Sequence, residues 1–424
     1  MIISLQFKDG YKMSYTLIYN GTLIDGNGGE STPNAAVLIK NNKIIDVGTE
    51  DSIKIPEEKI KRIDAHGMFI LPGFIDSHVH IMANGFKFED TMYDPLSFYF
   101  YKGAYNLNKT INAGITTVRD AGLADIGIKM AVDEGLITGP RLLISVMPLS
   151  TSGGHFDLNL NSGFNMRVSY PGLPENIGDG EAEVRKRVRE MLRAGADFIK
   201  LSTTGGVMSA NDGPKDIQYT VEELKVVVHE AKCHGDKKVM VHAHGAEGIK
   251  NALKAGVYSI EHGSCLDDEA IQMMIHQGTY LIPTFVVMKN NKKFAEAGEL
   301  PEYSTKQAIE IVDIHEKNIK KAYNAGVKIV MGSDCGVVPH GLNLEELGNL
   351  CDIGMSPIEA IMAGTKNAAI FLGIDDKIGT IESGKLADIV ISKKDPIANI
   401  KSLGNPENIM LVMKEGKIVK DIRN

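Results

Sequence analysis

A handful of short stretches carry residue types that bind metal ions or move protons: His78-Val-His80 in FIDSHVH, Lys200 in FIKLST, His242 and His244 in VMVHAHG, His262 in SIEHG and Asp334 in IVMGSD. Each sits in or at the end of a run rich in β-branched residues, so each is read as part of a β-strand or its polar end. Side chains alternate along a strand, which turns His78 and His80 to the same side. Imidazoles and a carboxylate converging from separate strands are the donor set of a zinc-like divalent ion. One HxH pair alone is a weak signal, since many histidines are satisfied core or rim residues. Ligand-type residues recurring at several strand ends are a much stronger one.

Lys200 is out of place in an apolar strand, because lysines are rarely buried without a partner. An ammonium beside two cations would be repelled. An amine that has reacted with carbon dioxide becomes a carbamate, an anionic two-oxygen ligand able to bridge two ions. The plainer alternative is a lysine that reaches water from the strand end.

The elements that must position these residues repeat. NAGITTVRDAG from Asn112, RAGADFIKLST from Arg193, KAGVYSIEHGS from Lys254 and NAGVKIVMGSD from Asn324 each read as a helix closed by Ala-Gly and followed by a short strand. Glycine suits the left-handed residue just beyond a helix end. The full set of predicted strands is FIDSHVH (74–80), TTVRDA (116–121), RLLISV (141–146), FIKLST (198–203), VMVHAHG (239–245), SIEHG (259–263), YLIPT (280–284) and IVMGSD (329–334). Helical periodicity lies between several of them, as in EVRKRVREMLRAG and VEELKVVVHEAKCHG. This alternation predicts an α/β fold, a (β/α)8 TIM-like barrel over residues 71–375 with its site where the strands end. SPIEAIMAGTKNAAIFLG (356–373) reads as a last helix. Short alternating strands in residues 1–70 and 376–424 predict one small β-sandwich domain built from both chain ends.

Composition bounds the function. With 424 residues, 43% of them hydrophobic, 24% charged and a formal net charge of −8, the chain reads as a soluble globular protein rather than a nucleic-acid or membrane binder. A small-molecule partner is expected. The N-terminal residues lack the apolar core of a signal peptide, and Met13 is an alternative start. Cys233, Cys265, Cys335 and Cys351 have neither CxxC spacing nor scaffold density, so reduced cysteines and a cytoplasmic location are expected. GxSxG, GxxxxGK[ST] and GxGxxG are all missing, which removes the usual serine-hydrolase and nucleotide-binding signals.

Taken with IDAHGMFILPGFIDSHVH and GKLADIVI, these residues resemble the amidohydrolase superfamily over nearly the whole chain. HVH, FIKLSTTGG, VHAHGAEGI, SIEHGS, MGSD, PHGLNLEEL and SPIEAI are most similar to its binuclear prolidase-like branch, which holds Xaa-Pro and Xaa-Arg dipeptidases and carboxypeptidases and lies close to enzymes of N-acyl amino acids. The resemblance implies two divalent ions, with zinc expected. His78, His80 and Asp334 would hold the first, His242 and His262 the second, and carbamylated Lys200 would bridge them. It implies attack by a bridging hydroxide, with Asp334 as base and then acid. His155 in SGGHFD would contact the carbonyl or oxyanion, Tyr219 in DIQYT the substrate carboxylate, and Arg119 is a second candidate for that carboxylate. His244 shares a face with His242 and is read as a substrate contact or supporting residue, although either histidine could be the ligand. His340 would shape the loop after strand eight. His66, His229, His234, His276 and His315 are assigned no chemistry. Specificity would rest on loops 84–106, 152–180 and 204–219, and relatives imply a homo-oligomer.

Two rival readings remain. A deaminase of the same superfamily would use one metal and the HxxE pair His244 and Glu247, and a cyclic-amide hydrolase of that superfamily is a further alternative. A non-catalytic scaffold would keep the barrel and lose ligands.

Overall fold

The computed structural model describes residues 14–85, 93–207, 212–300 and 302–423, with the side chain of residue 303 also outside the description. Met13 and parts of loops 84–106 and 204–219 lie outside those residues.

The chain begins with strands β1 (Tyr15–Leu23), β2 (Thr32–Lys40), β3 (Lys43–Thr49), β4 (Ile60–Asp64) and β5 (Phe69–Pro72). It ends with β13 (Ile389–Ser392), β14 (Ile409–Lys414) and β15 (Lys417–Asp421). Both ends share one sheet of eight strands in the order β15-β14-β13-β5-β1-β2-β3, with β4 paired to β1. The join is antiparallel, Ile389 facing Pro72 and Ser392 facing Phe69. Apolar residues of these strands form two buried clusters, one around Ile18, Ile39, Ile70, Ile389 and Leu411 and one around Leu17, Leu38 and Ile53. Leu17 and Ile18 stand next to each other in β1 and belong to opposite clusters, as period-two alternation requires.

Between these ends run β6 (Phe74–Val79), β7 (Ile115–Asp120), β8 (Arg141–Ile144), β9 (Ile199–Ser202), β10 (Val239–Ala243), β11 (Ser259–His262) and β12 (Tyr280–Ile282). Every pairing among them is parallel, in a sheet β6-β7-β8 and a sheet β12-β11-β10-β9. Helices Gly180–Arg193, Val221–Cys233, Ala246–Ala255 and Asp268–Gln277 precede successive strands. Gly114, Gly195, Gly256 and Gly326 all have φ between 84° and 99°, the left-handed value expected of the Ala-Gly helix ends. Every residue of β6, β7 and β10 is buried, so their polar members, such as Asp76, His78 and Arg119, are enclosed by protein.

Two segments differ from expectation. Residues 329–334 form no continuous strand. Instead, single parallel bridges join Ile329 to Leu281 and Cys335 to Val79, and Ser77 donates its N–H to the Met331 carbonyl at 3.0 Å. Asp334 stands left-handed at φ 60°, which interrupts the extended run. Backbone hydrogen bonds nevertheless tie this segment to β12 on one side and β6 on the other, and Leu149 pairs with β9 beyond the end of β8. The expected helix over 356–373 is two, Pro357–Ala363 and Lys366–Leu372, broken at Thr365. Its start is as the sequence suggests, with Ser356 and Glu359 forming a capping box.

Arg141 ties the end sheet to β7. Its guanidinium meets Asp388 at 3.0 Å, Glu415 at 2.5 Å and the hydroxyl of Thr117 at 2.8 Å. No helix among the described residues is long and apolar enough to cross a membrane. All four cysteines are free, as their spacing suggests.

Candidate metal centre

The strand ends bring the expected donors together. His78, His80 and Asp334 form one buried group and His242, His244 and His262 another, with the ligand atoms inside each group within 4.8 Å of one another. Both groups, together with Lys200, His155 and Phe156, line one cavity of about 80 Å³. Val207, Val287, Met288, Asn291 and Val337 complete its wall.

The orientation of each ring follows from its second nitrogen. His80 donates Nδ1–H to the Gly122 carbonyl at 3.1 Å, which leaves the Nε2 lone pair free. His262 places Nδ1 2.7 Å from Thr284 Oγ1, whose own proton goes to the Pro283 carbonyl at 2.7 Å. His262 must therefore donate there, and its Nε2 is free. His242 donates Nε2–H to the Gly205 carbonyl at 3.3 Å, so its Nδ1 is the free atom. His78 Nδ1 is 2.8 Å from Glu261 Oε2, the carboxylate–histidine arrangement that raises a ligand's basicity. Burial, reinforced by the Lys200 ammonium, pushes His80 and His244 down to about 3 and His78, His242 and His262 well below the ordinary imidazole value. Neutral rings with free lone pairs are what a cation needs.

Asp334 fits the same purpose. Its Oδ1 is 3.5 Å from Nε2 of both His78 and His80, and it is buried with no hydrogen-bond partner. Orphaned carboxylate oxygens are costly, and a cation is the natural partner. Burial raises this carboxyl and lowers the Lys200 amine from their ordinary values. His262, Thr284 and Asp334 all stand at positive φ, 68°, 57° and 60°. Such backbone costs about 1–3 kcal/mol per residue and collects at working sites.

His155 lies where the loop reading puts it. It lines the cavity and stacks on His242 with ring centroids 4.1 Å apart, its Nδ1 buried and unpartnered. A Cβ on Gly206 would come within 2.0 Å of this ring. Gly206→Ala is therefore expected to displace His155 and lower kcat about 10²-fold at unchanged metal content, which turnover and metal analysis of the same preparation would check.

Arg119 and Tyr219 are not brought to the cavity. Arg119 is buried beneath it, donating to Glu261 at 2.8 Å and to the Ser77 carbonyl at 2.6 Å, with its guanidinium over Phe371 and Phe198. Its ion pair is with Glu261 and not with its neighbour Asp120. Asp120 accepts instead from the backbone of Ile81, Gly122 and Ala124. Tyr219 is 2% exposed within the apolar core. His340 does shape the loop it occupies, contacting the His80 carbonyl at 3.3 Å and Thr110 at 3.0 Å. Glu247, the acid of the HxxE alternative, is exposed on the first turn of its helix and pairs with Lys250 at 2.6 Å.

Three buried residues went unread. Glu261 joins His78, Arg119 and Ser259. Asp76 accepts from Ser333 and Asn343 and from the His78 backbone, bracing β6 against the segment that carries Asp334. Glu346 caps the helix Phe285–Glu296 by accepting from the backbone of Phe285 and Val286. A carboxylate inside an apolar strand, as in SIEHG, was the available signal for Glu261. A second cavity of about 280 Å³ stands beside the first, walled by Met82, Tyr99, Leu123, Met147, Met166 and Tyr170 among others. Met82 lies two residues beyond His80, and Gly85 of this wall donates to the Gly336 carbonyl next to Val337.

Comparison with known proteins places this geometry among relatives. The sequence profile of the amidohydrolase family matches residues 69–419. Ochratoxinase from Aspergillus niger is 34% identical, over 96% of this chain and 86% of its own. A crystal structure of a Xaa-Pro dipeptidase with methionine bound in its active site superposes with a TM-score of 0.86 at 35% identity, covering 96% of this chain and 99% of the other. A prolidase complexed with N-methylphosphonate-L-proline gives a TM-score of 0.88 at 29% identity, covering 96% and 100%.

Proposed function

Because the chain belongs to the amidohydrolase family and is a hydrolase acting on carbon–nitrogen amide bonds, we propose that it cleaves the peptide or amide bond of dipeptides or N-acyl amino acids at a binuclear metal site. The observation that carries this reading is that two buried donor triads and a buried lysine share one cavity. Likeness to a Xaa-Pro dipeptidase and a prolidase supports a dipeptide-sized substrate. The second cavity, lined by Met82, Leu123, Met147 and Met166 together with Asp94, Lys102 and Arg167, offers room for a bulky group on that substrate.

In this reading His78, His80 and Asp334 would hold one ion, His242 and His262 the other, and Lys200 would complete the donor set as its carbamate. The neutral amine forms an N–C bond to carbon dioxide and releases one proton. Zinc suits this mixed nitrogen and oxygen donor set, and two such ions would acidify a water and polarise the scissile carbonyl. Asp334 would take the proton of the attacking water and return it to the leaving amine. His155 donates to the carbonyl oxygen as negative charge develops there. Arg119 serves from below, by fixing Glu261 and through it His78.

The same reading carries a (β/α)8 barrel over residues 71–375, closed by the segment from 329 to 335, with residues 1–70 and 376–424 forming the small β-sandwich domain. It also carries a cytoplasmic homo-oligomer with a small-molecule substrate and neither nucleic-acid nor membrane partners. Phe98, Tyr101 and Tyr105, exposed at helical spacing, offer an apolar face for a second copy. The exposed position of Glu247 gives a deaminase no acid at the site.

The test is turnover of the zinc-loaded protein on a library of L-Xaa-L-Xaa dipeptides and N-acyl amino acids, with detection of the released amino acid. Selective release of one class of C-terminal residue is expected. Release from none, with ammonia freed from cyclic amidines or aminopurines instead, would overturn the substrate.

A further inference from the structure

Behind the cavity, three buried side chains form a continuous hydrogen-bonded chain. His244 Nδ1 is 2.8 Å from Ser264 Oγ, and that oxygen is 3.0 Å from Nδ1 of His315. His315 is fully buried on the long helix Glu302–Ala325, edge-on to Phe285. One turn further along, Asn318 donates Nδ2 to the Ser264 carbonyl at 2.9 Å. The helix thus grips both the hydroxyl and the backbone of Ser264.

A serine hydroxyl has one proton to give. Both contacts are hydrogen bonds only if one ring receives that proton at Nδ1 while the other gives its own Nδ1 proton to the oxygen. The two neutral rings must therefore be opposite tautomers. With Nδ1–H on His315, His244 carries its proton on Nε2, away from Ser264, as a donor. In the reverse state His244 presents a lone pair there, and the proton of His315 moves to its Nε2. That atom is buried without a hydrogen-bond partner. The carbonyl of Pro283 faces this ring and accepts the Thr284 hydroxyl at 2.7 Å, but it makes no well-formed hydrogen bond with His315 Nε2. An orphaned N–H is rarer and costlier in a protein interior than an unused lone pair. The balance favours Nδ1–H on His315.

We propose that His315, acting through Ser264, is a positioning residue that locks His244 with its Nε2–H directed into the cavity as a donor to the substrate. His244 then contributes no lone pair to an ion, and the second ion falls to His242 and His262. The proposal rests on the amide-hydrolase reading only for the identity of the molecule that receives this bond.

The experiment compares wild type with Ser264→Ala, His315→Leu and His315→Asn, measuring bound zinc, nitrogen-15 histidine spectra and kinetics on the best dipeptide. Ser264→Ala and His315→Leu should each lower kcat/KM about tenfold with bound zinc unchanged, and the double variant should be no worse than either. His315→Asn, whose amide nitrogen stands near the place of Nδ1, should recover most of the loss. The spectra of zinc-loaded wild type should show Nε2–H on His244 and Nδ1–H on His315. Reversed tautomers, loss of zinc from Ser264→Ala, or unchanged kinetics at equal zinc would each overturn the proposal. If wild type cleaves no amide in the library, the substrate reading alone fails, and the spectra and zinc counts decide this one.

Discussion

Lys200→Ala should fold, bind less metal than wild type and turn over no substrate at a measurable rate. Lys200 is 1% exposed, so the bland account of a lysine reaching water from a strand end does not hold. As an ammonium it adds to the forces that keep the surrounding histidines neutral, while burial lowers its own proton affinity against the opposing charges of Glu261 and Asp334. Removing an ammonium from that setting costs the fold little, since a buried cation is itself expensive. Removing a bridging carbamate is different. A loss of even about 4 kcal/mol of transition-state stabilisation slows a reaction about a thousandfold. Short carboxylic acids, small enough to enter the vacated volume, should restore part of both metal content and rate. Normal metal content and rate in the variant would refute the bridging role.

Glu261→Leu should lose stability and metal affinity together. The carboxylate is fully buried, with Oε1 on Arg119 and Ser259 and Oε2 on His78. Leucine leaves the Arg119 guanidinium without its counter-charge, which costs about 3–5 kcal/mol when one partner of a buried pair is removed. It also frees His78 to rotate, and losing such a support weakens metal binding about 10–100-fold. Adding Arg119→Leu separates the two effects. The double variant should regain most of the lost thermal stability, since no unpaired charge remains, while zinc affinity stays low. A single variant as stable and as tightly zinc-binding as wild type would show that the carboxylate is dispensable.

These two residues mark where reading by sequence succeeds and where it stops. Lys200 is conspicuous because the Ala-Gly turn and the strand rule place it inside an apolar run. Five further ligand-type residues are legible as polar strand ends, although His78 and His80 follow β5 rather than a helix. Glu261 escapes this reading. Strict alternation allows only one of two adjacent residues to face inward, so with His262 facing the cavity Glu261 is expected to point away. A left-handed backbone at His262 breaks the alternation, and no residue type at that position announces it. Asp334 was found although the run before it is not a regular strand, because its carboxylate follows the same Ala-Gly pattern. The placement of Arg119 beneath the cavity is illegible for a related reason. A strand end can be located from sequence, but whether a long side chain rises to the mouth or turns beneath depends on its neighbours, here the rings of Phe198 and Phe371. Tyr219 follows a loop whose path depends on contacts far away in the chain.

The join between β5 and β13 also bears on how this chain comes into being. Strands made first share a sheet with strands made last, and Lys366 reaches Asn27 across 339 residues. At about 5–20 residues per second, synthesis leaves β5 without its neighbour for tens of seconds. Through that interval its edge is open to pairing with other chains. Such distant pairing also slows the final search. Refolding yield should therefore fall as protein concentration rises, and a chain cut short before β13 should associate with itself rather than remain a smaller working enzyme.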